Sequence, residues 1–126
     1  MTMINLFHIH RRYIFKHYFD ESNLFKDLRD YYDRSEYRFE VEEDEVDSVI
    51  EKLEGYGYRV HIVERDEIPD YTLIIDKYDK QGDLLKNSVE VIELGDEKAL
   101  VLKSKVAKEE AMDRGKEPNE RWKARL

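Results

Sequence analysis

His8 and His10 stand two residues apart in a segment that reads as a strand, the spacing that projects two imidazoles from one face toward a common metal ion. A zinc-type site needs a third protein ligand. His17 falls on the opposite face of that strand and His61 is distant in sequence. Solvated histidines in a basic strand satisfy the same pattern, so no metal site and no cofactor is expected.

The stretch His8 to Tyr18 also sets Arg11, Arg12 and Lys16 among Tyr13, Phe15 and Tyr18. Cations pair with a phosphate backbone and aromatics stack on bases, so this is the composition of a single-stranded nucleic-acid site. Against it, aromatics at strand spacing more often belong to a core, and the glycine- and aromatic-rich motif of RNA-binding sandwiches is absent. The same cations have a second use in meeting the acidic segment Glu40 to Glu54, eight acids against one lysine, within the chain or across a subunit interface. Trp122, flanked by Arg121, Lys123 and Arg125, is the aromatic that would anchor the C-terminal tail, which otherwise stays loose. The residues expected to meet a protein or nucleic-acid partner are therefore Arg11, Arg12, Tyr13, Lys16, Tyr18 and Trp122.

Other chemistries find little support. The chain has no cysteine, which excludes disulfides, thiolate metal sites and cysteine nucleophiles. There is no G-x-S-x-G elbow, P-loop or dinucleotide fingerprint. Glu42, Glu43, Asp44 and Glu45 sit where a helix begins, and acids there complement the helix dipole; they lack the calcium-loop pattern. No pair of carboxylates is singled out for acid/base work, so no catalytic residue is named and an enzyme ranks third.

The elements that position these residues follow from periodicity. Leu6 to Phe19 is rich in aromatic and β-branched residues and reads as one long strand, although Arg11 and His17 break its odd face and Ile14 and Tyr18 its even one. A helix capped by Asp20 or Ser22 follows, with Leu24, Phe25, Leu28, Tyr31 and Tyr32 on one side through about three turns. Tyr37, Phe39 and Val41 alternate as a strand. Asp44 can cap a helix carrying Val46, Val49, Ile50 and Leu53, Gly55 can end it, and Tyr58, Val60 and Ile62 resume alternation. YTLIIDKY is a strand expected to form a hairpin with the Tyr58 strand. The segment 83–94 admits a strand turning at Leu94-Gly95-Asp96 into KALVLKS, or a helix capped by Asp83; its length favours the helix. Ser104 can cap a last helix that Gly115 ends, before a tail broken by Pro118.

This order predicts an α+β protein: a ferredoxin-like βαββαβ sandwich over 37–104, an antiparallel sheet with helices on one face, carrying an N-terminal strand-helix extension (1–36) and a C-terminal helix and tail (105–126). A length of 126 residues suits a single domain. No segment reaches the apolar length that spans a bilayer and the N-terminus lacks the order of a secretion signal, so a cytoplasmic protein is expected. A charged content of 41% with one glutamine resembles proteins from thermophiles. The net charge of −8 opposes general nucleic-acid affinity. The favoured expectation is a non-catalytic interaction or regulatory module that self-associates as a homo-oligomer or binds a protein partner; nucleic-acid binding through 8–18 is second.

Overall fold

The alternation of the N-terminal segment changes phase at His10 and Arg11, and the chain turns there. In the computed structural model, which describes residues 2–126, the expected single strand is an antiparallel hairpin of β1 (Met3–Ile9) and β2 (Arg12–Phe15). Ile9 pairs with Arg12 and Phe7 with Ile14, so the odd positions of β1 share a face with the even positions of β2. That shift is the physical origin of the broken alternation. His10 (φ 52°) and Arg11 (φ 64°) both adopt the left-handed conformation that a two-residue type I′ turn requires. Neither is the glycine or asparagine that usually marks such a turn.

By contacts the chain divides into two units, Met1–Glu64 and Arg65–Leu126. The first continues with α1 (Ser22–Leu28), a short 3-10 turn at Arg29–Tyr31, the two-residue β3 (Tyr32–Asp33), β4 (Arg38–Glu42), α2 (Val46–Gly55) and β5 (Arg59–Val63). Its five strands lie in the order β3-β4-β2-β1-β5, with β5 parallel to β1 and every other pair antiparallel. Ile4, Leu6, Phe15, Phe39 and Val41 line one face of the sheet, against which α1 packs Leu24 and Leu28 and α2 packs Val46, Val49 and Leu53. Aromatic edges fill the gaps: Phe19 meets Phe15, Phe39 and Tyr58 in T-shaped contacts. The Tyr58 hydroxyl donates to Glu21 at the start of α1, at 3.0 and 3.1 Å, tying that helix to the entry of β5.

Several local expectations shift by a residue or two. Neither α1 nor α2 has a side-chain cap; Glu45, not Asp44, occupies the cap position of α2. Gly55 is the last helical residue of α2, and Gly57 (φ 91°) takes the left-handed conformation. Tyr37 lies outside β4 with φ 56° and is exposed.

The second unit holds β6 (Thr72–Asp76), α3 (Gly82–Lys86), β7 (Ser88–Leu94), β8 (Glu97–Leu102), α4 (Lys105–Ala111) and α5 (Glu120–Arg125). Its sheet is antiparallel in the order β6-β8-β7. Leu73, Ile75, Leu84, Leu100, Leu102 and Ala111 form its core. The single ferredoxin-like sheet expected over 37–104 is therefore not formed: β4 and β5 belong to one sheet, β6, β7 and β8 to another, and β5 makes no hairpin with β6. The helix expected over 83–94 is also corrected. Only five residues are helical before the chain extends into β7, where pairing with β8 outweighs the local helical pattern.

The C-terminal segment is ordered by specific bonds. The Ser104 hydroxyl accepts from the Ala107 N–H at 3.1 Å and caps α4, as its position implies. Lys116 exchanges two backbone hydrogen bonds with Ile74 on the edge of β6, both 2.9 Å. A Cβ at Gly115 would lie 2.6 Å from the Ile74 carbonyl oxygen, so only glycine permits that approach. Asn119 caps α5. The architecture is a mixed α+β one, and no helix among the described residues is long and apolar enough to cross a membrane.

Candidate functional site

Because β1, β4 and β5 run in the same direction, their carboxyl ends, the turn between β1 and β2, and the start of α2 gather at one end of the first sheet. Most of the singled-out charge is here. The parity of each strand sorts it onto two faces.

On the face that carries the helices, His8 sits between two carboxylates: Nε2 lies 2.8 Å from Glu43 and Nδ1 2.8 Å from Glu64. A carboxylate only accepts, so both bonds exist together only when the ring is the doubly protonated imidazolium. The Glu64 bond is the main cause of a raised His8 pKa, with Glu43 adding to it against the opposing effect of burial. The imidazole stacks on its cross-strand partner Tyr13, with centroids 4.3 Å apart and planes 3° from parallel. Burial, then the charges of Glu64, Glu43 and Asp47, raise the Tyr13 phenol as well.

The other face carries a second ionic group. Arg12 Nη1 donates to one oxygen of Glu40, and Arg38 Nε donates to the other at 3.2 Å. The Arg38 side chain is 9% exposed and that of Glu40 12%, so the carboxylate holds two guanidinium groups in a largely dry setting. Charge-assisted bonds of this kind are roughly twice as strong as neutral ones.

The residues singled out in the sequence do not assemble into one surface. Arg11 is exposed at the hairpin tip; Arg12 and Tyr13 are half-buried and point to opposite faces. Lys16 and the 84% exposed Tyr18 lie past the other end of β2. Trp122 belongs to the second unit, where it is 1% exposed and its Nε1 donates to Glu97 at 2.8 Å. It anchors α5 and offers no ring to a partner. Glu40 and Glu43 belong to the acidic segment expected to meet these cations, whereas Arg38 and Glu64 are not singled out by the sequence; for Arg38 the parity of β4 carries the signal. His8 and His10 do not share a strand face, since His10 is in the turn, and among the described residues no group of three or more metal-ligating side chains can hold an ion.

The second unit has a hollow of about 320 Å³ lined by Asp70, Lys105, Lys108, Glu109, Met112 and Glu117. Lys108, buried at 7% exposure, spends its ammonium on the Pro69 carbonyl at 3.2 Å and Glu117 at 2.8 Å. Its role there is to clamp the 3-10 turn Arg65–Tyr71 to the segment that follows α4. Compared with protein-family models, with curated proteins and with solved structures, the chain matches none.

Proposed function

We propose that the chain is a small, non-catalytic interaction module that self-associates through charged surface at the hairpin end of the first sheet. The observation that carries this reading is the internal use of the hairpin's cations. Arg12 and Arg38 are held by Glu40 and His8 by two glutamates, so a phosphate backbone would have to displace carboxylates to reach them. The first unit has nine Lys and Arg against fifteen Asp and Glu, and the exposed Glu42, Glu43, Asp44, Glu45 and Asp47 repel a polyanion from this end. A protein partner bearing both signs of charge meets no such penalty, and a second copy of the chain is one.

Light scattering at low and high salt tests the reading. A mass that is a multiple of 15.3 kDa and falls toward one chain as salt rises is the expected result. A monomer at both salts removes self-association. The exposed tip cation Arg11 and exposed Tyr18 then become the residues to test on single-stranded nucleic acid, where Arg11→Ala should reduce the salt slope of binding.

A further inference from the structure

Among the described residues, Arg11 and the exposed acids Glu42, Asp44 and Asp47 have no ionic partner. No hydrogen bond or ion pair forms among the described residues on the Arg11 guanidinium, in contrast to its neighbour Arg12 on Glu40. Along the β4–α2 connection, Glu43 is taken by His8, and Glu45 lies near the Tyr31 phenol, which burial and then the Glu45 charge raise above its ordinary pKa. Glu42, Asp44 and Asp47 are exposed and hold no cation. The pairing of Arg12 with Glu42 puts the hairpin tip and the start of the acidic connection at adjacent strand ends.

We infer that the hairpin tip, His10 and Arg11, docks onto the acidic β4–α2 connection of a second copy of this chain, with Glu42, Asp44 and Asp47 receiving Arg11. A tip and its complement at the same end of the sheet are what a two-fold axis needs. Rotation about an axis between them lays each tip on the other copy's acids, giving two identical contacts and a closed dimer. Complementary charge at such a contact fixes register and speeds encounter, and like charge excludes polyanionic competitors. The tip also keeps two side chains at positions where glycine or asparagine would fit with less strain, so the turn is not optimised for folding alone. The partner is the second copy and not a basic protein at large, because a basic protein would leave Arg11 unused.

This interface rests on the self-association proposed above, and the experiment separates the two. Arg11→Glu and, separately, the double variant Asp44→Lys/Asp47→Lys are measured by light scattering, alone and mixed in equal amounts, beside the parent. Each variant alone is expected to dissociate at least about tenfold more readily than the parent, and the mixture to regain a dimer because opposite charges again face each other. Arg11→Gly guards against misfolding as the cause: it is expected to keep the far-UV circular dichroism of the parent, since glycine suits the turn, while weakening the dimer like Arg11→Glu. A parent dimer that all these variants leave intact overturns the interface while self-association stands. A mixture that stays monomeric also overturns it. A monomeric parent overturns the self-association reading itself.

Discussion

Two hairpins with two-residue turns stand in this molecule, and they are built differently. Between β7 and β8 the turn is Gly95-Asp96, with the one positive φ, 62°, on glycine. Between β1 and β2 it is His10-Arg11, with positive φ on both residues. The left-handed conformation costs an L-residue with a side chain roughly 1–2 kcal/mol. The second hairpin avoids that cost and the first bears it. What holds the first hairpin closed is then its flanks: the His8–Tyr13 stack on one face, and Arg12 bound to Glu40 on the neighbouring strand on the other. A turn whose sequence favours it needs less from its surroundings than one whose surroundings impose it.

The comparison breaks most visibly at Glu40. Glu40→Gln leaves Arg12 and the buried Arg38 without their shared carboxylate, and a loss of about 3 kcal/mol in unfolding free energy is expected from urea titration. The matching change at the base of the second hairpin, Glu97→Gln, keeps an acceptor for the Trp122 indole and is expected to cost only about 1 kcal/mol. Equal losses would mean that the first hairpin owes nothing special to its ionic flank.

Turn substitutions give smaller effects of opposite sign. His10→Asn with Arg11→Gly is expected to stabilise by about 1 kcal/mol, since both residues accept the left-handed region. Gly95→Ala is expected to destabilise by about 1 kcal/mol for backbone reasons alone. A Cβ at Gly95 would meet only the end of Arg121, at an ordinary 3.5 Å, so packing does not confuse that result. Thermal unfolding of the two variants side by side would show it, and a loss in both would contradict the strain assigned to His10 and Arg11.

The same contrast explains what the sequence disclosed. Gly95-Asp96 between apolar runs announces its turn, and the hairpin it makes is one of the two conformations that the sequence of 83–94 admits. The length of the segment favours a helix locally, and the pairing of β7 with β8 that overrides it is not a local property. His10-Arg11 carries no turn residue, so one long strand was the natural reading. With the turn hidden, β1 reads as an extension of a sheet, when it pairs with both β2 and β5 and so joins β5 to the first sheet. Short-range signals survived better: the Ser104 cap, the α2 stripe of Val46, Val49 and Leu53, and the buried alternation of Phe39 and Val41 all stand. At the candidate site, Arg12 was legible as a charged group meeting the acidic segment, but Glu40 as its partner was not, because that needs the register of β2 on β4.

The finest test concerns His8, whose clasp on Glu43 and Glu64 requires the imidazolium. Its folded pKa is raised above the ordinary 6.5, chiefly by the Glu64 bond, so the charged ring stabilises the fold fully below pH 6.5 and that contribution is lost as pH rises through the raised value. With the groups this exposed, the gain is under about 1 kcal/mol. Asp33 works in the other direction at a distant pH: the Ser35 hydroxyl, its largest influence, holds it at about 2, so its contribution is present above the ordinary 3.8 and lost as pH falls through about 2. The two windows do not overlap, and unfolding free energy measured from pH 5 to 9 reads His8 without Asp33. The parent is expected to exceed His8→Gln most at pH 5 to 6 and to converge on it toward pH 9. A gap that stays constant across that range would assign the worth of His8 to its stack on Tyr13, and the first hairpin would then be held on that face by packing, with charge acting only through Glu40.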